Sequence, residues 1–119
     1  MADARSTAYA EYLAASDNVT AETLRTEGTD ELKAYTAALV RYNAAKKQVL
    51  LIAGPKTVKA LEPHSQSLYA HLKDQSDREQ WEDTQRLHNE LLVQMRCDIS
   101  SGYLVRLRDL LPMIGKTPQ

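Results

Sequence analysis

The ten residues LLIAGPKTVK, at positions 50–59, combine an apolar run, a glycine and a Lys-Thr pair, which are parts of a nucleotide-phosphate loop. Such a loop needs a second glycine five positions earlier, because several successive backbone N–H groups must surround the phosphates before the lysine reaches them. Here Gly54, Pro55, Lys56 and Thr57 follow one another directly, and Pro55 has no N–H to donate. We therefore expect a helix end, a glycine stop and the proline start of the next helix, rather than a nucleotide site.

The same stretch predicts a basic corner with a weaker functional interpretation. The free N–H groups and the positive dipole end at the start of the next helix attract anions. Lysines and one threonine lie close to that helix start in the sequence: Lys46, Lys47, Lys56, Thr57 and Lys59. This corner is either a solvated basic face or an anion site for a phosphate, a lipid headgroup or an acidic protein surface.

Histidine and cysteine do not form a metal or catalytic pattern. None of His64, His71 and His88 has a glutamate three residues before it, so the Glu-x-x-His motif of di-iron helical bundles is absent. His64 and His71 share a helical face, but no cysteine or carboxylate completes a metal-ligand spacing, and we expect surface or partly buried histidines. We expect Cys97 to be a buried thiol without a catalytic partner. The sequence thus predicts no metal site, no cofactor, no catalytic residue and no enzyme.

Length and charge restrict the remaining function classes. A chain of 119 residues fits one domain, and the net charge of -1 gives no general attraction to nucleic acid, which we do not expect as a partner. The charge is uneven, because positions 32–61 carry six basic residues and no acidic one. We find no secretory signal and no run of 18 apolar residues, and one cysteine fits a reducing compartment, so we expect a cytoplasmic protein without a transmembrane segment.

Four segments carry apolar or small residues every three to four positions, as one face of a helix requires. The segments begin near Ala4, Leu32, Pro55 and Ser76, where Ser76 and Glu79 form a capping-box pattern. The expected inner-face positions are Tyr9, Tyr12 or Leu13, Ser16, Val19 and Thr23 or Leu24; Leu32, Tyr35, Leu39, Tyr42, the stem of Lys46 and Val49; Val58, Leu61, Ser65, Leu68 and Leu72; and Trp81, Thr84, Leu87 or His88, Leu91 or Leu92, Met95 and Ile99. Pro63 is expected to kink the third helix or to restart it near His64.

These elements predict an all-α fold, an up-down antiparallel bundle of about four helices, because short connections make sequential helices antiparallel. The bundle is expected at residues 1–102, with the fourth helix ending at positions 100–102. Residues 103–119 are expected to form a short C-terminal amphipathic helix or arm within the same domain. Its apolar stripe either packs on the bundle or projects to meet another chain; it comprises Tyr103, Leu104, Leu107, Leu110, Leu111 and Ile114.

The chain resembles a loose group of uncharacterised bacterial helical proteins. The resemblance covers positions 5–100 and is carried by AYAEYL near the start, by LLIAGPKTV, and by ELLVQMRCDIS with its Arg-x-Asp near a helix end. It implies a helical fold and no activity or site. Members of that kind often carry an N-terminal membrane helix, which this chain lacks.

Two functions are compatible with this sequence. The first is a non-enzymatic module for protein interaction or oligomerisation, which meets another protein or a second copy of itself through the tyrosine-bearing seams or the C-terminal arm. The alternative is an anion-binding regulatory or membrane-peripheral protein that uses the basic corner. Binding to the basic corner would weaken as salt rises, because the contacts would be ionic.

Overall fold

Four α-helices joined by short connections appear in a computed structural model of the protein. The helices are α1 (Ala4–Thr23), α2 (Thr29–Ile52), α3 (Pro55–Lys73) and α4 (Arg78–Ile114). The structure describes residues 4–23 and 29–114, and their side chains at 4–23 and 32–100. Every regular element in these ranges is a helix, which confirms the predicted all-α fold.

Each helix runs antiparallel to the next one along the chain. Arg5 at the start of α1 contacts the backbone of Ile52 at the end of α2, and Tyr42 of α2 bonds to Ser65 of α3. The start of α3 likewise meets the second half of α4, where Gly54 bonds to Asp98. The up-down arrangement predicted from the short connections is therefore present.

The core lies between two helical pairs, α1 with α2 and α3 with α4. Small buried residues, Ala15 of α1 and Ala38 and Ala45 of α2, allow α1 and α2 to pack closely. Longer side chains fill the space between the pairs, and they include Tyr12, Tyr42, Leu61, Leu91 and Met95. In the tyrosine-bearing seams, Tyr9, Tyr12 and Tyr42 are thus part of the core and Tyr35 is partly buried against it.

Several expected faces are confirmed, and the expected environments of five residues are wrong. The buried positions on α1 agree with the predicted face, as do Tyr42 and Val49 on α2. Leu32 and Trp81 are exposed instead of buried, because both lie at the edge of their helical stripe near a helix start. Cys97 is exposed, and His64 and His71 are buried.

Helix α4 continues past the expected end at positions 100–102. It runs without a break to Ile114, so the predicted boundary at Gly102 falls inside a helix. One glycine costs a helix only about 1 kcal/mol, which helix-forming neighbours offset. Because Asp98 lies beside the first residues of α3, the last four turns of α4 extend beyond the start of α3. The predicted interface side chains from Tyr103 to Ile114 lie outside the described side chains.

The N-terminal cap of α4 and the effect of Pro63 within α3 differ from the predictions. Asp77 caps α4, since its carboxylate accepts the N–H of Gln80 at 3.1 Å, whereas Ser76 donates to Asp74. Helix α3 does not restart at His64. Pro63 is on its solvent side, where water can satisfy the carbonyl that the proline leaves without a partner.

Candidate functional site

A polar cluster around Asp98 joins all four helices at one end of the bundle. Asp98 accepts hydrogen bonds from Arg5 Nη1 at 3.1 Å, from the Tyr9 hydroxyl, and from the Gly54 N–H at 2.9 Å. Arg5 also donates from Nε to the carbonyl of Ile52 at 2.7 Å, which ties the end of α2 to the cluster. One carboxylate thus links the start of α1, the α2–α3 connection and α4.

The electrostatics of the Asp98 cluster favour an ionised carboxylate. Burial alone would raise the pKa of Asp98, but the hydrogen bonds from Tyr9 and Gly54 and the charge of Arg5 outweigh burial and hold that pKa below its usual range. Burial and the neighbouring carboxylate raise the pKa of Tyr9 to about 12, so its hydroxyl remains a donor at neutral pH. These three hydrogen bonds tie α1 and the α2–α3 connection to α4 through one ionised carboxylate.

The start of α3 therefore already holds an anion, and that anion is Asp98. Gly54 is the N-cap of α3 with an extended backbone, φ -68° and ψ 162°, followed by Pro55 in the first turn. Gly54 separates α2 from α3 as predicted, and its φ lies outside the left-handed region, so a left-handed backbone is not what requires glycine here. A Cβ at position 54 would lie 2.6 Å from an Asp98 carboxylate oxygen, so the close approach of Asp98 explains the glycine.

The five residues predicted for an anion site have different surroundings. Thr57 is buried and donates to the carbonyl of Gln94 at 3.2 Å, and Lys46 pairs with Glu62 at 3.5 Å. Lys47 is exposed on α2. Lys56 and Lys59 line a shallow groove of about 340 Å³ on α3, which they share with Glu90 of α4.

A second polar network is buried in the centre of the bundle. The Tyr12 hydroxyl lies 3.0 Å from the Tyr42 hydroxyl and 2.7 Å from Nδ1 of His64, and Tyr42 donates to Ser65 Oγ at 2.9 Å. His64 is 2% exposed. Burial, with a smaller contribution from His88, lowers the pKa of His64 to about 4, so the imidazole is neutral at physiological pH.

A cavity of about 230 Å³ lies beside this network, between α1, α3 and α4. His64, Thr84 and Leu68 form its buried floor, and the ring of His88 lies 5.6 Å from that of His64. Trp81 forms part of the wall, and its ring also packs on His71 at 4.6 Å. The remaining lining residues are Ser16, Asp17, Thr20, Ala21 and Gln85.

The outward side of α2 carries large apolar side chains that nothing in the described chain covers. Leu32 is 58% exposed, Val40 65% and Leu51 77%. At 100° per residue these three positions fall within about one third of the helix circumference, opposite the buried positions Ala38 and Val49. α2 therefore carries large apolar side chains on two sides, one in the core and one in solvent.

The sequence contained a signal for this outward side but none for the cavity. Val40 and Leu51 are eleven residues apart, which is close to three helical turns, so they share a face distinct from the predicted seam. The cavity depends on how α1 and α4 face each other across α3. No spacing within α1 indicates that Asp17 and Thr20 would lie near His64.

The described residues contain no group of three or more histidine, cysteine, aspartate or glutamate side chains that could hold a metal ion. Within the same ranges, no helix combines the length and the apolar character that crossing a membrane requires. Comparisons with protein-family models, with curated proteins and with solved structures find no match for this chain.

Proposed function

We propose that this protein is a non-enzymatic helical interaction module that binds an acidic amphipathic helix of another protein through the outward side of α2. The observation that carries the proposal is the exposure of Leu32, Val40 and Leu51 on one side of a helix whose opposite side packs against α1. Large exposed apolar side chains that recur on one side of a surface helix are candidates for contact with a partner.

Charge determines the kind of partner. Lys33 and Lys47 lie on the same side of α2 as Val40, and neither forms an ion pair with another described residue. Arg41 and Lys46, by contrast, already pair with Glu11 and Glu62. A helix side that carries both exposed apolar residues and these lysines is complementary to a partner helix whose contact side carries apolar residues together with glutamate or aspartate.

A second copy of this chain fits the outward side of α2 less well. If two α2 helices paired antiparallel through Leu32, Val40 and Leu51, Lys33 of one copy would lie within about one turn of Lys47 of the other. Like charges at such positions oppose association. The same charges attract an anionic membrane, which is the main competing occupant.

The expected affinity is modest. The stripe from Leu32 to Leu51 is about 29 Å long, which corresponds to five turns of a partner helix. A contact between two single helices lies at the small end of specific interfaces, so we expect dissociation constants in the micromolar range.

The test uses two synthetic amphipathic peptides of about 21 residues with leucine at heptad positions a and d, one with glutamate and one with lysine at the flanking positions. Fluorescence anisotropy should show binding of the glutamate peptide only, and weaker binding at high salt. Val40→Glu with Leu51→Glu should weaken binding at least about tenfold, because a buried carboxylate would face apolar groups and glutamates.

Val93→Glu is the matched control, because Val93 is 52% exposed on the outer side of α4 and not on α2. Unchanged binding in this variant would show that the loss is specific to α2. Three outcomes would reject the proposal: equal binding of both peptides, concentration-dependent dimerisation that the α2 substitutions abolish, or sedimentation with anionic lipid vesicles that depends on Lys33 and Lys47.

A further inference from the structure

One polar atom on the floor of the cavity between α1, α3 and α4 has no hydrogen-bond partner in the described chain. The cavity's hydroxyl groups all have partners within the protein: Ser16 donates to Leu13 at 2.9 Å and Thr20 to Ser16 at 2.9 Å, and Thr84 contacts the carbonyl of Gln80 at 2.8 Å and the hydroxyl of Ser67 at 2.6 Å. His64 differs from them, since its Nδ1 is bonded to Tyr12, which does not line the cavity. Nε2 of His64 makes no hydrogen bond with the rest of the described chain.

The hydrogen-bond network determines which nitrogen of His64 carries the proton. Tyr42 donates its only hydroxyl hydrogen to Ser65, so the contact between Tyr12 and Tyr42 needs the hydrogen of Tyr12. Tyr12 then accepts from His64, which must carry its proton on Nδ1. Nε2 is therefore unprotonated, and its lone pair is an acceptor at the cavity floor.

We propose that this cavity binds a small neutral molecule with an aromatic ring and one O–H or N–H group that donates a hydrogen bond to His64 Nε2. The size is sufficient, because a protein cavity of about 150 Å³ accepts benzene and this one measures about 230 Å³. Trp81 and Leu68 provide apolar wall for the ring. Asp17 at the mouth and the lone pair at the floor both disfavour an anionic ligand.

Phenol and anisole are suitable probes, because they have similar size and shape but only phenol can donate. Trp81 is the one tryptophan of the chain and lines the cavity, so its fluorescence reports on binding. We expect saturable binding of phenol to the full chain, about tenfold tighter than that of anisole, as one buried hydrogen bond would give.

Two variants separate the hydrogen bond from the cavity itself. His64→Asn keeps a donor near the Nδ1 position and removes the acceptor, so phenol should bind no better than anisole. Ala21→Leu places a larger side chain at the exposed mouth without touching the network, and it should weaken both probes. Ala14→Leu is its control, because Ala14 is exposed on α1 and does not line the cavity.

The proposal is overturned if phenol and anisole bind equally to the wild-type protein, or if neither gives a saturable change. It is also overturned if Ala21→Leu binds phenol as the wild type does. Zn²⁺ added alone provides a further arm. Zinc binding that competes with phenol and requires both His64 and His88 would show that the free lone pair serves a metal ion instead.

Discussion

Asp98 accepts the backbone N–H of Gly54 at 2.9 Å and lies so close that position 54 has no room for a Cβ atom. This contact places a carboxylate at the start of α3, where the free N–H groups and the helix dipole stabilise negative charge. Arg5 and Tyr9 bond to the same carboxylate from α1. The end of the bundle is therefore held together by one internal anion.

Gly54→Ala should lower the free energy of unfolding by about 1–3 kcal/mol, as overpacking and a lost charged hydrogen bond together imply. The backbone at position 54 has φ -68°, so alanine adds no backbone strain and the cost comes from displacing Asp98. Urea unfolding measures the change. In an Asp98→Ala background the same glycine substitution should cost little, and an equal cost in both backgrounds would exclude the Asp98 contact as the cause.

Tyr12→Phe should destabilise the protein by about 1–3 kcal/mol, because it leaves the Nδ1–H group of His64 buried without an acceptor. Tyr69→Phe is the matched control, since the Tyr69 hydroxyl bonds to the exposed side chain of Asn43 and should cost less than about 1 kcal/mol. Chemical denaturation of both variants with the same m-value allows the comparison. Equal losses of stability in the two variants would contradict a stabilising buried hydrogen bond between Tyr12 and His64.

The helical faces could be predicted from the sequence because burial follows the helical period. Tyr12, Tyr42 and Leu61 are buried as their spacing indicated. Positions at the edge of a stripe are less determined, since their burial depends on the neighbouring helix. Leu32 and Trp81 are two such positions: the spacing predicts them in the core, and the structure shows them exposed.

Contacts between distant parts of the chain could not be predicted. Asp98 meets Gly54 across 44 positions, and Tyr12 meets His64 across 52. These contacts depend on the register of one helix against another, which no local pattern specifies. The prediction of the basic corner rests on local sequence alone. Local sequence specifies neither the pairing of Lys46 with Glu62 nor the burial of Thr57.

Stability should fall as the pH is lowered from about 6.5 to about 4, where 6.5 is the ordinary pKa of histidine. Burial lowers the pKa of folded His64 to about 4, so across this interval the unfolded chain binds a proton that the folded chain does not. This difference corresponds to roughly 3 kcal/mol, fully present above pH 6.5 and lost as the pH approaches 4. Urea unfolding at several pH values should show a clearly smaller dependence for His64→Asn. An unchanged dependence would assign the effect to other groups.

His71→Phe should keep or raise the stability, in contrast to His64→Phe. Nδ1 of His71 is buried without a hydrogen-bond partner in the described chain, and the imidazole ring packs on Trp81 at 4.6 Å. Phenylalanine preserves the ring contact and removes the unsatisfied nitrogen, so we expect a change between zero and about 2 kcal/mol in favour of folding. His64→Phe removes a paired nitrogen and should destabilise the protein by about 1–3 kcal/mol. Thermal and urea unfolding of the two variants would contradict this account if both lost stability to the same extent, because an unpaired and a paired imidazole would then be equivalent.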